Sequence, residues 1–295
     1  MYTESMSKFV PDISSKRWVI ISPSRIKRPD ENGNRKKKKC IFCPGNESLT
    51  PDEIYRLGPG EPNTPGWKVR VIKNKYPIAD IHEVIIHSPH EEHDIEALPL
   101  AQVSNLFKTY RERFNTHRKQ GQVLIFCNHG EHAGASIEHP HSQLVVIPSQ
   151  INFDTLSREP MNNIVRENTF FNVYCPDFSQ WPYEVWIAPK KEGTIFGDIN
   201  DEEIDDLVEI LQHALKQLIK IYKENKLSNL GFGYNYYIYP RENWYIRIIP
   251  RFIHRAGFEL GTGLSVNIVD PAEAAIELRG INQDMLKVLS KLKKY

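Results

Sequence analysis

The chain has 295 residues, 40% of them apolar, and its 13 Phe, 13 Tyr and 5 Trp supply enough bulk for a large core, which excludes a wholly disordered chain. Its 38 basic and 37 acidic residues leave a net charge of +1, which excludes a global field for holding nucleic acid or an anionic membrane, so phosphate binding has to be local. No run approaches the roughly 18 consecutive apolar residues of a membrane span, Met1 to Lys8 lacks an apolar signal core, and four cysteines are too few to staple the chain, so a cytoplasmic location is expected.

In chain order, the apolar run from Trp18 reads as a strand that ends at Ser22-Pro23. Ile26 to Lys39 reads as a polar loop, and its Lys36 to Lys39 run as solvated charge without an assigned function. Cys40 and Cys43 have the C-x-x-C spacing of a metal site or a reduced thiol pair, whereas Cys127 and Cys175 read as buried thiols. Strands are predicted from Lys68 and from His82, a helix over Leu98 to Lys119, and strands from Val123 and Leu144. Beyond residue 150 the order repeats: a strand from Tyr183, a helix from Asp201 to about Asn225 capped by Asn200 or Asp201, and strands from Tyr234 and Trp244. A closing helix is predicted over Asn282 to Lys294.

His139 and His141 sit two apart, so on an extended segment they share a face, and Gln143 falls on that face too. A neutral imidazole is a nucleophile at phosphorus, and Gln143 can donate to a phosphoryl oxygen. Upstream, Asn128 to Ser136 is a loop of small and polar residues whose amides, with the Ser136 hydroxyl, suit a phosphate cradle.

With these motifs in place, the chain resembles the galactose-1-phosphate uridylyltransferase family, the transferase branch of the histidine-triad superfamily. The resemblance is carried by Arg17-Trp-Val-Ile-Ile-Ser-Pro-Ser-Arg25 with Arg28, by Cys40-Ile-Phe-Cys43-Pro-Gly-Asn46, by Asn74-Lys-Tyr-Pro77, by His139-Pro-His141-Ser-Gln143 and by Gly257-Phe-Glu259. It implies that His141 becomes nucleotidylated, that Gln143, Ser136, Arg25 and Arg28 contact phosphates, that Asn74 and Asn128 hold the nucleotide substrate, and that Glu259 binds hexose hydroxyls. It also implies one structural zinc held by Cys40, Cys43, His139 and a residue of the 90–93 segment, taken as His90 with Glu91 and His93 as alternatives. Where the family carries further metal histidines, this chain has Asn243-Trp244-Tyr245-Ile-Arg247, so no second metal is expected. Arg247 or Arg251 then faces a phosphate, or Arg247 makes a surface ion pair.

The expected fold is α+β, with two histidine-triad-like halves, 1–150 and 151–295, each a curved antiparallel sheet with a long helix. The expected reaction moves a nucleoside monophosphate from a nucleoside diphosphate sugar to a sugar 1-phosphate through a nucleotidyl-histidine. Alternatives are a nucleoside diphosphate sugar or dinucleoside polyphosphate phosphorylase, and a zinc-stabilised nucleotide-binding module without turnover. No nucleic acid or membrane partner is expected, and a homodimer stays open.

Overall fold

Alternation of buried apolar side chains draws most of the chain into one sheet. The computed structural model describes residues 7–12, 18–27, 39–153, 156–225 and 231–280; Arg17, Arg28, the lysines 36–38 and the helix predicted over 282–294 lie outside them. Strands β1 (Lys8–Pro11) and β2 (Trp18–Ile21) form a separate antiparallel pair. The large sheet takes β3 (Glu53–Leu57), β4 (Val69–Lys73), β5 (His82–Ile86), β6 (Gln122–His129) and β7 (His141–Ile147) from the first half of the sequence. From the second half it takes β8 (Ile164–Glu167), β9 (Phe171–Tyr174), β10 (Val185–Pro189), β11 (Tyr234–Ile238) and β12 (Ile246–Pro250).

Its order is β3-β4-β5-β7-β6-β11-β12-β10-β9-β8, antiparallel at every pairing. Read inward from either edge the sequence of strands is the same, and the two sets of five meet where β6 pairs with β11. The fold is therefore α+β, but its two sets of strands share one continuous sheet. The expected order of strand, long helix, strand, strand recurs as β5, α1 (Leu100–His117), β6, β7 and as β10, α2 (Asp201–Asn225), β11, β12.

Helix α2 forms because its first turn is acidic and Asn200 caps it reciprocally: Asn200 Oδ1 accepts the Glu203 N–H at 2.9 Å, and the Glu203 carboxylate accepts the Asn200 N–H at 2.8 Å. Its stripe of Ile204, Leu207, Leu211, Leu215 and Leu218 meets Val103, Phe107 and Tyr110 of α1 and the alternate residues Ile85, Ile125, Leu144, Val185 and Ile246 of the sheet in one core. Both helices thus cover one face. The other face of β4, β5 and β7 is closed by loop residues such as Phe42 and Trp67, which explains why β5 is buried along its whole length. Short helices α3 (Gly257–Thr262) and α4 (Pro271–Leu278) follow β12. Among the described residues no helix is long and apolar enough to cross a membrane.

Strand β7 begins at His141 rather than at the predicted Leu144, because Ile86, Ile85 and Val84 of β5 pair with His141, Ser142 and Gln143. Strand β6 ends in a tight turn at Gly130, with φ 84° and ψ 156°, where an added Cβ would stand 2.7 Å from the Phe232 carbonyl oxygen. Only glycine accepts both that dihedral and that approach. Gly130→Ala is expected to cost roughly 1–3 kcal/mol, read as a lower melting temperature in thermal denaturation; an unchanged melting temperature would refute this account of the turn.

Candidate functional site

Leu144 and Val146 of β7 point into the helix-side core, so His141 and Gln143 project from the opposite face. There the histidine motif meets a knuckle made by Cys40 to Asn46, through His139 at the sulfurs and His141 at Phe42. The knuckle closes on itself: Asn46 N–H donates to the Cys43 carbonyl at 3.1 Å, the Asn46 side-chain amide donates to the Cys40 carbonyl at 2.7 Å, and Gly45 takes φ 87°. Both sulfurs are thereby turned toward His139, and Phe42 between them lays its ring edgewise on His139 and His141, at centroid distances of 6.1 and 5.4 Å.

His139 is fully buried, and its Nε2 stands 2.8 Å from the Ser88 carbonyl oxygen. A carbonyl only accepts, so Nε2 carries the proton and Nδ1 presents its lone pair, 3.4 Å from Cys40 Sγ and 3.7 Å from Cys43 Sγ. Burial keeps this ring neutral, outweighing the Ser88 carbonyl. Burial, with Cys40 and Glu91 close by, pushes the Cys43 thiol up to about 12. Two sulfurs gathered at one imidazole lone pair repel one another as anions, and a divalent cation relieves that repulsion. Cys40, Cys43 and His139 are a group able to hold a metal ion, with ligand atoms all within 4.8 Å of one another. His90 does not join them. Ser88 Oγ accepts the His90 N–H at 3.1 Å, the His90 ring packs beside that of His93, and Glu91 comes to Cys43, its Oε2 3.4 Å from the Cys43 Sγ.

His141 Nδ1 lies 2.9 Å from the carbonyl oxygen of His139 and must donate to it, which leaves Nε2 with the lone pair. Burial lowers the His141 pKa to about 4 despite that hydrogen bond. The ring is a wall common to two cavities. The larger, about 330 Å³, combines apolar Phe42, Leu49, Ile72 and Tyr76 with Arg25, Asn74, Ser136 and Gln143. The smaller, about 220 Å³, contains Asn128, His129 and Gly130, with Glu131 and Glu138 exposed at its rim.

The polar side chains of the larger cavity are held by sequence-distant partners. Asn74 Oδ1 accepts the Tyr76 N–H at 2.8 Å, closing the Asn74-to-Pro77 turn, and Arg25 donates to the Tyr76 carbonyl at 2.6 Å. His82 Nδ1 accepts the Ile78 N–H at 3.1 Å, so its Nε2–H donates to Gln143 Oε1 at 2.8 Å. Asn74 donates to the same oxygen at 3.2 Å, which turns the amide NH₂ of Gln143 toward the cavity. Sequence reasoning passed over His82, Phe42 and the cavity lysines Lys73 and Lys75. A histidine at the head of an apolar strand was the one available signal, at His82.

Asn128 lines the smaller cavity and accepts from the Asn235 amide at 2.8 Å. Glu259 lines neither cavity; it is half-buried on α3, where its carboxylate accepts the Ala256 N–H at 3.1 Å. Arg28 is outside the described residues. Arg247 lines neither cavity and is no surface ion pair. It is buried in a bidentate pair with Glu184, at 2.7 and 2.9 Å, beside a Trp186 and Tyr245 stack with centroids 4.1 Å apart. Arg251 lies over the Trp181 ring at 4.7 Å. The face of β10 and β12 that corresponds to the His141 face of β7 is therefore filled.

Residues 78–147 match the model of the N-terminal domain of galactose-1-phosphate uridyl transferase. The chain is 27% identical to an ADP-glucose phosphorylase of Arabidopsis thaliana, covering 92% of each protein. It is 24% identical to a galactose-1-phosphate uridylyltransferase of Thermotoga maritima, covering 89% of this chain and 94% of that one. The crystal structure of an Arabidopsis thaliana ADP-glucose phosphorylase with bound ADP-glucose superposes with a TM-score of 0.71 at 25% identity, over 94% of this chain and 99% of that one.

A metal held by Cys40, Cys43 and His139 would tie the knuckle to the histidine motif, so its removal would lower stability as well as alter the site. Elemental analysis of protein purified without chelator is expected to give one divalent metal per chain, and Cys43→Ser to lose it with a marked drop in melting temperature. Metal-free wild-type protein of unchanged melting temperature would exclude this role.

Proposed function

From the chain's kinship with the galactose-1-phosphate uridylyltransferase family we propose that it is a nucleotidyltransferase, moving a nucleoside monophosphate from a nucleoside diphosphate sugar to a sugar 1-phosphate through His141. The observation that carries this reading is the His141 ring, fixed through Nδ1 to the His139 carbonyl and shared between two cavities. Nε2 attacks the α-phosphorus, the bond from that phosphorus to the bridging oxygen breaks, and a sugar 1-phosphate leaves. A phosphate oxygen of the second substrate then attacks the same phosphorus and the phosphorus–nitrogen bond breaks. Substitution at Nε2 puts positive charge on the ring, and the His139 carbonyl stands where it stabilises that charge. Entering and leaving groups are both phosphates, so positioning and charge compensation carry the rate. The amide NH₂ of Gln143, the Ser136 hydroxyl and Arg25 are assigned to the phosphoryl oxygens, as is Arg28. Asn74 is assigned to the nucleotide in the larger cavity, and Asn128 to the substrate in the smaller.

For the metal we propose zinc, in one structural site. Tetrahedral zinc with bonds of about 2.3 Å to sulfur and 2.0–2.1 Å to nitrogen sets sulfur and nitrogen about 3.5 Å apart, and the separations here are 3.4 and 3.7 Å. Cys40, Cys43 and His139 supply three ligands; Glu91 fits the fourth position better than His90 because its carboxylate already touches Cys43. The repeated strand order supports a division into related halves, 1–150 and 151–295, with the metal and the reacting histidine in the first. Exposed Phe258, Leu260, Leu264 and Ile268 support a homodimer, in which a second copy would also be what brings Glu259 to a cavity. Four free cysteines suit a cytoplasmic setting. A second reading, with inorganic phosphate as acceptor, draws support from the relative named ADP-glucose phosphorylase. Both readings share the same covalent intermediate.

Incubation with a panel of nucleoside diphosphate sugars followed by intact-mass analysis is expected to reveal one nucleotidyl adduct per chain, and competing sugar 1-phosphate and inorganic phosphate then identifies the acceptor. His141→Gly should lose the adduct and slow turnover by about four orders of magnitude or more while retaining nucleotide-sugar binding. Normal turnover in that variant would dispose of the mechanism.

A further inference from the structure

The smaller cavity holds a titratable group that the reaction above leaves unused. His129 ends β6 and lines this cavity together with His141, its side chain 27% exposed. Its ring stacks on Tyr234 at 4.7 Å with 14° between planes, and its Nδ1 lies 2.7 Å from Asp94 Oδ2. Asp94 is itself buried and fully engaged: Oδ1 accepts from His87 Nδ1 and from the Ile95 N–H, both at 2.8 Å, and Oδ2 also takes the Tyr234 hydroxyl at 3.4 Å. Behind His87, the Tyr110 hydroxyl stands 3.2 Å from Nε2 and 2.7 Å from the Tyr236 hydroxyl.

Stack and carboxylate together fix the plane of the His129 ring, with Nδ1 committed to Asp94 and Nε2 the nitrogen left for the cavity. Burial opposes a charge on this ring, but the hydrogen bond and charge of Asp94 prevail and raise its pKa. A ring so held offers Nε2–H as a charged donor at the bottom of a cavity whose acidic residues, Glu131 and Glu138, are exposed at the rim. A phosphate group bearing a sugar matches that polarity: phosphate inward to a cation, hydroxyls outward to carboxylates.

We propose that His129, held by Asp94, binds the phosphate of the second substrate, the sugar 1-phosphate that leaves and the phosphate that enters at His141. This rests on the nucleotidyl-transfer reading and adds to it a residue of the acceptor site. Its function is a charge-assisted hydrogen bond to a non-bridging oxygen; no bond is made or broken at His129.

The test uses the full-length, metal-loaded protein and two variants, His129→Phe, which keeps the stack on Tyr234, and His129→Gln, which keeps a donor for Asp94. Adduct formed from a nucleoside diphosphate sugar is isolated, and its discharge is followed against rising sugar 1-phosphate and, separately, inorganic phosphate. Binding of the nucleoside monophosphate, which occupies only the larger cavity, monitors folding. Expected are adduct reaching one per chain and monophosphate binding within about twofold of wild type, with the acceptor concentration for half-maximal discharge raised about tenfold or more in both variants. Unchanged acceptor dependence would overturn the proposal, and so would equal losses in acceptor use and monophosphate binding, which mark a purely structural residue. Absence of an adduct in the wild type would instead overturn the nucleotidyl-transfer reading, so the two failures are separable.

Discussion

The site depends on one antiparallel contact, the end of β5 against the start of β7. Ile86 pairs with His141, the His87 N–H donates to the Pro140 carbonyl at 3.1 Å, and the Ser88 carbonyl takes the His139 Nε2–H. Three successive residues of one strand end thus set three successive residues of the motif. Proline at 140 has no N–H to compete for this pairing, and its fixed φ keeps the segment extended. As a result His139 turns to the sulfurs while His141, two residues on, turns its Nδ1 back to the chain and its Nε2 outward. A shift of register by one residue would send both imidazoles into the helix-side core.

The same strand end also anchors the negative centre of the site. From His87 the chain turns through Ser88 and reaches Asp94, which returns beneath His87 and joins it to His129 on β6. A fully buried carboxylate is costly unless its oxygens are satisfied, and here four donors do so. Burial alone would raise the Asp94 pKa, yet the His87 charge and the hydrogen bonds of His129 and His87 hold it well below the usual carboxylate range. The Cys40, Cys43 and His139 group, the His141 ring and the acidic network are therefore three readouts of one loop geometry.

Much of this was legible in the sequence where the information is local. The His139-to-Gln143 alternation, the C-x-x-C-P-G-N knuckle and the Asn200 cap of α2 each work within a few residues, and each appears where the sequence placed it. Asp270-Pro271 was an equally local helix start, with Asp270 accepting the Ala272 N–H at 2.8 Å, and it was passed over. The rest involves partners far apart in the chain. His82 reaches Gln143 across 61 residues, and Arg247 meets Glu184 across 63, so the arginine read as surface or phosphate-facing was already committed to a buried carboxylate. Glu91 rather than His90 reaches Cys43 because the Ser88 turn, not the residue spacing, decides which side chain faces the sulfurs.

The filled face of the second half changes what mutation can do there. Around His141 the requirement is atomic: a particular nitrogen, a particular lone pair, a particular amide rotamer, so that even a same-sized replacement is costly. Around Trp186 and Tyr245 the requirement is occupancy, since stacked rings and an arginine fixed by its carboxylate fill the space. Such a region accepts exchanges that conserve volume and polarity balance. One end of the sheet is thereby constrained by chemistry and the other by shape, and substitutions of equal size should accumulate unequally along a chain whose strand order is the same from either edge.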